Sequence, residues 1–270
     1  MGIEDLLREL GVYRHLMAAA VGMPRLFILC MIAPFFGSTV VSGQLRTALV
    51  FAIYLILHPM VQGELPAEMP ATAGELAFLG LLLAKEIFLG LLLGWIAGIP
   101  FWAAQSGGFF IDNQRGASMA EGSDALSGEQ TSPIGILFLQ GTIYLFFVSG
   151  AFLSFLGLVY SSYLVWPVGS LLPQMSRAAA MLFAEQAGWL MLYMLLLAGP
   201  IAVACLLIDV SLGLVNRFAS QLNVYVLAMP IKSGVAAFIL LVYFGMLGSN
   251  APVLYSHIQT TLLRLQGLLS

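Results

Sequence analysis

The stretch from Gln105 to Pro133 contains the residue types that could do chemistry in this chain. Charged side chains are rare elsewhere, but five occur here: Asp112, Arg115, Glu121, Asp124 and Glu129. The same stretch contains apolar residues and glycines, and glycine favours close backbone approach and left-handed turns over regular helix. The glycines are Gly107, Gly108, Gly116, Gly122 and Gly128, and the apolar residues include Phe109, Phe110, Ile111 and Met119. A segment too polar to face lipid and too apolar for a free loop is typical of backbone that is buried in protein or lines a water-filled path. We therefore expect the functional segment here.

Motifs for catalysis and for metal binding are absent from the sequence. There is no HExxH pair for zinc, no GxxxxGK[ST] phosphate loop and no GxSxG elbow. The acidic residues of 105–133 lack the DxDxDG spacing of a calcium loop. The formal net charge is −3, with no basic tract that would indicate nucleic acid. The sequence thus predicts a protein that is not an enzyme and that uses no cofactor or metal.

Charged residues also lie inside long apolar runs, where each costs about 2.5–3.5 kcal/mol at a helix centre. Lys85 and Glu86 are adjacent, so their side chains leave a helix about a quarter-turn apart, and we do not expect them to pair with each other. Instead, each is expected to contact another helix or another subunit. The residues predicted as buried charges or subunit contacts are Lys85, Glu86, Glu185, Asp209, Arg217 and Lys232. A proton relay is the alternative interpretation, but the sequence does not align these groups along one path.

Apolar runs make up most of the chain and must position these residues. Hydrophobic residues account for 60% of the 270 positions and charged residues for 9%, whereas a typical soluble domain is about 25% charged. A membrane-spanning helix needs about 20 residues. Six runs approach or exceed that length: 16–41, 45–61, 76–104, 134–168, 178–208 and 233–256. The sequence therefore predicts an all-α, multi-pass membrane protein with about six long apolar helices or helical hairpins.

Small residues predict how some of these helices pack, bend and begin. A GxxxGxxxG ladder in the third run predicts close approach of a neighbouring helix; it consists of Gly90, Gly94 and Gly98. Three glycines could bend the fourth run: Gly141, Gly150 and Gly157. Ser132 and Pro133 fit the N-cap and the first position of a helix. Basic residues divide equally between the two sides of a six-span arrangement, so they predict no orientation.

Three motifs occur in the order found in a known family. They are KEI at 85–87 with GLLLG at 90–94 and PFW at 100–102, then IDNQRGAS at 111–118 with GEQTS at 128–132, then LLIDVSLGLVNRFA at 206–219. With these motifs the chain resembles, along nearly its whole length, the SctT family of bacterial type III secretion systems, which is related to FliR of the flagellum. The IDNQRGAS motif favours the injectisome branch, and the flagellar counterpart is the alternative.

The resemblance implies a multi-pass subunit of an export gate in the bacterial inner membrane. One copy would join other export-apparatus membrane proteins, of the SctR, SctS and SctU types, in a helical channel complex. Unfolded substrate proteins would cross the membrane through this channel. The resemblance also implies that residues 1–170 are similar to the larger of two small partners and that the C-terminal helical hairpin, residues 171–270, is similar to the smaller.

Within this interpretation, residues 105–133 would fold into the channel as a plug. Apolar side chains would exclude water and ions, polar ones would bind the channel wall, and Arg115 would pair with a carboxylate through two hydrogen bonds. The residues predicted for the plug or gate are Phe109, Phe110, Ile111, Asp112, Asn113, Gln114, Arg115, Gly116 and Met119. A structural re-entrant segment is the alternative for this stretch. A small-solute channel or secondary transporter is the alternative for the whole chain.

Overall fold

The computed structural model describes residues 11–37, 40–65, 72–116, 132–171, 177–218 and 224–269, and every regular element in them is a helix. The α-helices are α1 (Val12–Ile32), α2 (Gly43–Glu64), α3 (Ala73–Arg115), α4 (Pro133–Val148), α5 (Ala151–Val165), α6 (Arg177–Phe218) and α7 (Val224–Leu269). A short 3-10 helix, Pro34–Phe36, lies between α1 and α2. The all-α prediction is thus confirmed for the described part of the chain.

Fewer helices than predicted are long and apolar enough to cross a membrane. In the described residues there are four, Val12–Ile32, Gly43–Glu64, Ala73–Arg115 and Met181–Phe218, or five if α4 and α5 count as one span bent by 77°. The predicted count of about six is therefore slightly high. The predicted sixth run lies in α7, where the described apolar stretch is the shorter Val226–Val242. The fourth run bends at Gly150, which has a φ of 74°, whereas the other two glycines predicted to allow a bend, Gly141 and Gly157, lie within α4 and α5.

The helices group into two units. Unit 1 comprises Met1–Gly98, Phe152–Ala184 and His257–Ser270, and unit 2 comprises Ile99–Ala151 and Glu185–Ser256. Both units draw on segments that are distant in sequence. The division into residues 1–170 and 171–270 rests on family resemblance and stays a prediction.

In unit 1, α1 packs closely against α3 because α3 presents glycines to it. A Cβ atom at Gly90 would clash with the carbonyl oxygen of Arg25, and one at Gly94 would lie 3.1 Å from the carbonyl oxygen of Leu29. Small residues let helix backbones approach in this way. Two members of the glycine ladder therefore face α1.

In unit 2, the end of α3 packs with α4, α6 and α7. Its buried core consists of Ala104, Ile111, Ile134, Phe138, Leu197, Ala198, Ile201, Cys205 and Ala236. The helix α3 continues through Gly107 and Gly108 to Arg115, so the expected departure from regular helix is wrong at these two positions, whereas the expected close backbone approach is confirmed at Gly108. A Cβ at Gly108 would lie 2.5 Å from the Cα of Gly135 in α4. The close contact explains the glycine, and packing outweighs its helix penalty of about 1 kcal/mol.

Candidate functional site

One buried carboxylate joins the end of α3 to the start of α4. Asp112 is only 4% exposed. Its Oδ2 atom accepts hydrogen bonds from the Ser132 hydroxyl at 2.6 Å and from the Ile134 amide at 2.9 Å. Its Oδ1 atom accepts from Arg115 Nε at 2.7 Å. These four residues are called the Asp112 anchor below.

The local sequence explains why the anchor forms at these helix ends. Gly116 follows the last helical residue of α3 with a φ of 82°, the left-handed conformation that commonly ends a helix. The Ser132 hydroxyl accepts from the Gly135 amide at 3.0 Å, and Pro133 is the first residue of α4, so the predicted N-cap and N1 positions are confirmed. The chain therefore leaves α3 and re-enters α4 beside the same carboxylate.

Arg115 makes two contacts with a carboxylate, and its partner lies in its own helical turn. Its Nη2 atom lies 2.6 Å from Asp112 Oδ1, the oxygen that also accepts from its Nε atom. The two residues are three positions apart, a spacing at which helical side chains meet. Arg115 therefore neutralises the buried Asp112 while the other carboxylate oxygen holds the start of α4.

A second ion pair contacts the same end of α3. Lys232 of α7 lies 2.5 Å from the Oδ1 atom of Asp209 in α6. It also donates to the carbonyl oxygen of Gln114 at 3.4 Å. That carbonyl lies in the last turn of α3, where carbonyls lack partners within the helix and a cation is favourable. The α6–α7 pair and the Asp112 anchor thus meet at one helix terminus.

The apolar residues predicted for a plug have unequal exposure. Ile111 is fully buried in the core of unit 2, and Phe110 packs against that core. Phe109 is 39% exposed and Asn113 is also exposed. Met119 lies outside the described residues. Of the predicted water-excluding side chains that the structure describes, Phe109 is the one that presents a large area outward.

Unit 1 contains a separate, fully buried charge cluster. Glu86 of α3 pairs with Arg25 of α1 through two contacts, Nε to Oε2 at 2.7 Å and Nη2 to Oε1 at 2.8 Å. Lys85 Nζ lies 2.9 Å from Glu86 Oε1, so the prediction that Lys85 and Glu86 do not pair is wrong. Their long side chains bend towards each other from neighbouring positions, which the angle between their Cβ atoms does not prevent. These three residues are called the Arg25–Glu86 cluster below.

The Arg25–Glu86 cluster also binds the end of α5 and the turn after it. Arg25 donates to the carbonyl oxygens of Ser162 and Trp166, both at 2.9 Å, and its guanidinium lies 4.0 Å from the ring centroid of Tyr163. Lys85 Nζ donates at 2.8–3.0 Å to the carbonyl oxygens of Pro167, Val168 and Ser170. Every charge in the cluster is thus satisfied within unit 1.

The remaining predicted residues join neither group. Glu185 and Arg217 are exposed on α6, and neither has a polar partner among the described residues. Gly98 is buried in α3. In the described part of the chain, no group of three or more His, Cys, Asp or Glu side chains could hold a metal ion.

Two interactions in unit 1 were missed by the sequence reasoning. Glu64 accepts from the Val168 amide at 2.6 Å, and the Tyr163 hydroxyl donates to the Gly22 carbonyl at 2.8 Å. Glu64 could have been singled out as an acidic side chain in the last turn of a spanning helix, where the helix dipole disfavours it. No local pattern identifies its partner 104 positions away.

The fold and the charges define a helical membrane protein of multi-pass type. Residues 16–257 match the family of bacterial export proteins, family 1, and the chain belongs to this family. The chain is 40% identical over 241 residues to the Yop proteins translocation protein T of Yersinia pestis. The alignment covers 89% of this chain and 90% of that protein. It is 32% identical over 232 residues to the surface presentation of antigens protein SpaR of Salmonella typhimurium. That alignment covers 85% of this chain and 84% of SpaR.

The flagellar relatives are more distant. The flagellar biosynthetic protein FliR of Bacillus subtilis is 28% identical over 211 residues, covering 77% of this chain and 79% of that protein. The resemblance to the SctT and FliR family is therefore confirmed, and the higher identities support the SctT branch.

Proposed function

We propose that this protein is a core subunit of the type III secretion export gate in the bacterial inner membrane. With SctR-, SctS- and SctU-type membrane proteins it would form the channel through which unfolded substrate proteins cross the inner membrane. Membership of the export family supports this proposal, as do the large apolar residues exposed on α6, such as Leu192, Leu206 and Val210. The role is conformational: it involves no catalytic residue and no cofactor.

We propose further that residues 105–133 form the plug of this channel, with the helical part 105–115 as its fixed base. The Asp112 anchor is the observation that carries this proposal. It fastens both ends of the stretch 117–131, through Asp112 and Arg115 on one side and through Ser132 and Ile134 on the other. In this proposal the stretch would move aside as substrate passes, while the Asp112 anchor keeps the flanking helices joined. Phe109 would contribute apolar area next to the pore.

The gate proposal is tested by co-expression of the chain with the SctR-, SctS- and SctU-type proteins, followed by native mass spectrometry of the affinity-purified complex. The expected result is a hetero-oligomer with one copy of this protein and several copies of its smaller partners. A stable homo-oligomer that excludes those proteins would contradict the proposal and favour a small-solute channel or transporter.

The plug proposal is tested by replacing residues 117–131 with a short glycine–serine linker, which keeps the Asp112 anchor. Ion leakage across the inner membrane is expected to rise in cells that contain the whole apparatus. The control is the same replacement in cells that lack the SctR-type protein, where no channel forms and no leak is expected. Loss of secretion without any increase in leakage would favour a structural re-entrant segment.

A further inference from the structure

Two histidines join the start of α1 to the end of α2. His15 lies in the first turn of α1, and His58 lies within the last two turns of α2. The His15 Nδ1 atom is 2.8 Å from the His58 Nε2 atom. His15 is exposed and His58 is half-buried, so water reaches the contact from one side. Both residues belong to unit 1, and we call them the His15–His58 pair below.

The two imidazole rings meet end to end in nearly one plane. Their planes differ by 20° and their centroids are 5.1 Å apart. This separation is about the nitrogen–nitrogen distance plus the distance from each nitrogen to its own ring centre. The two nitrogens therefore lie on the line between the centroids and point straight at each other. Such a geometry is that of one N–H···N hydrogen bond, in which a single proton lies between the rings.

Each outer nitrogen of the pair has an uncharged neighbour that can donate or accept. The Tyr54 hydroxyl lies 3.0 Å from His58 Nδ1, and the Gln62 side-chain amide nitrogen lies 3.4 Å from His15 Nε2. A hydroxyl can rotate, and an amide can present its oxygen in place of its nitrogen. The outer nitrogens thus find a partner with or without a proton. Only the position between the rings must hold one proton.

No charged group in the described part of unit 1 pairs with either ring. On α1, the neighbouring Arg14 donates through Nε to the Gln62 carbonyl oxygen at 3.1 Å. On α2, Glu64 accepts from the Val168 amide. The described titratable side chains that α3, α5 and α7 contribute to unit 1 make no hydrogen bond or ion pair with the two histidines: Glu75, Lys85, Glu86, Tyr160, Tyr163, His257 and Arg264. The charge of the pair therefore depends on the surrounding pH and on the repulsion between its own rings.

The pair has two protonation states that keep the contact and one that does not. With both rings neutral, one ring donates the central N–H and the other accepts it. One extra proton binds at an outer nitrogen, after the Tyr54 hydroxyl or the Gln62 amide turns its oxygen towards it, and the central bond becomes charge-assisted. A second extra proton finds only the central nitrogen free. There, two N–H groups of two cations would face each other at the 2.8 Å nitrogen–nitrogen distance.

We propose that the His15–His58 pair is a proton-sensitive contact: it holds the start of α1 to the end of α2 with no extra proton or one, and it separates when both rings are charged. Histidine changes its charge between about pH 5 and 8. His15 is the ring that turns away, because it is exposed whereas Tyr54 at the other end is buried. The contact lies within one chain, so it does not depend on the proposed function.

A double-mutant cycle at three pH values tests this contact. His15→Ala, His58→Ala and the double variant of the full chain are unfolded reversibly in mixed detergent micelles, and the equilibrium constant of unfolding is measured. The cycle cancels every titrating group that does not interact with the pair. At pH 7.5 the two histidines together are expected to stabilise the fold about threefold to tenfold beyond their separate effects, as one hydrogen bond does. This coupling is expected to persist at pH 6.0 and to vanish at pH 4.5.

His257 provides the matched control. Burial, with a smaller contribution from the charge of Arg264, lowers the pKa of His257, so this ring also makes the fold less stable in acid. It makes no contact with His15. His15→Ala and His257→Ala are therefore expected to be additive at all three pH values.

A second measurement needs no change at His58. In the His257→Ala chain labelled with ¹⁵N-histidine, the two remaining rings are expected to titrate in two separate steps by NMR, because the second proton is opposed by the first. In the chain that also carries His15→Ala, the one remaining ring is expected to titrate in a single step. Two rings that titrate independently would contradict the shared proton.

The cycle can overturn the proposal in several ways. Additive effects at pH 7.5 would show that the rings share no hydrogen bond. A coupling that is unchanged at pH 4.5 would show that charge does not separate them, and a coupling already lost at pH 6.0 would contradict the state with one extra proton. An equal, pH-dependent coupling between His15 and His257 would show that the effect is not specific to the pair.

Discussion

Unit 1 contains a buried cluster in which Arg25, Lys85 and Glu86 bind each other, whereas the ion pairs described in unit 2 lie at helix ends and closer to its surface. Arg25 and Glu86 have side chains that are 0% exposed, and both bind only groups of unit 1. In unit 2, the Asp209 side chain is 44% exposed and Glu185 is exposed without a described partner. The same residue types therefore serve different purposes in the two units. The buried charges join α1 to α3, whereas Asp209 and Glu185 are exposed.

The largest expected effect comes from removing the carboxylate of the Arg25–Glu86 cluster. Glu86→Gln would leave two buried cations without a counter-ion, and such a loss typically costs about 3–5 kcal/mol in the free energy of unfolding. We expect a large drop in thermal stability in detergent and in the amount of protein in the membrane. Glu185→Gln makes the same chemical change at an exposed site and should leave thermal stability of the isolated chain unchanged. Equal losses of thermal stability in Glu86→Gln and Glu185→Gln would contradict the difference between the two units.

The next effect concerns the contact of α1 with α3. Gly90→Ala would push a methyl group into the carbonyl of Arg25, and overpacking of this kind costs about 1–3 kcal/mol. Gly80→Ala in the same helix meets open space and should be neutral, or stabilising by up to about 1 kcal/mol, because alanine is the better helix former. Melting temperatures of the two variants in the same detergent give the comparison. A stable Gly90→Ala variant would show that this contact is looser than described.

An effect of similar size is expected at the Asp112 anchor. Asp112→Asn removes the charge that pairs with Arg115 and weakens the hydrogen bonds at the start of α4, at a cost of about 1–3 kcal/mol. Ser132→Ala removes only the N-cap and one of those bonds, and should cost about 0.5–2 kcal/mol. The order of the two variants in a thermal unfolding series tests the assignment. A larger loss for Ser132→Ala than for Asp112→Asn would mean that the cap, rather than the carboxylate, holds the two helices.

The smallest effect is expected for the ion pair between α6 and α7. Because Asp209 is partly exposed, the pair should contribute less than about 1 kcal/mol. Lys232→Met, Asp209→Asn and the double variant form a cycle that measures the interaction by denaturant unfolding. A coupling energy of several kcal/mol would mean that this pair stabilises the protein as strongly as the buried cluster of unit 1. That result would contradict the difference between the two units.

Local features were predictable from the sequence, and long-range partners were not. The N-cap at Ser132 and the bend at Gly150 depend on residue type and immediate neighbours, and both predictions are confirmed. The helical course of α3 through Gly107 and Gly108 depends on packing against α4, which a local propensity does not contain. The same limit applies to Asp112, whose partner Ser132 lies 20 positions away.

The error at Lys85 and Glu86 has a different origin. The angle between adjacent helical positions describes the Cβ atoms, whereas the charged groups lie at the ends of long, flexible side chains. Burial leaves those ends few oxygen and nitrogen partners, so they converge on each other and on Arg25. Spacing rules for exposed helices therefore do not transfer to charges buried among several helices.

The most direct test of the account is inner-membrane ion leakage in cells that contain the whole export apparatus with Asp112→Asn in this subunit. Leakage is compared with that of the wild type and of Glu185→Gln at equal membrane levels of the protein. We predict that Asp112→Asn raises leakage, because it loosens the base of the proposed plug, and that Glu185→Gln leaves leakage at the wild-type level. Leakage that stays at the wild-type level with Asp112→Asn, in an apparatus that still assembles, would contradict the role of the Asp112 anchor as the fixed base of a plug.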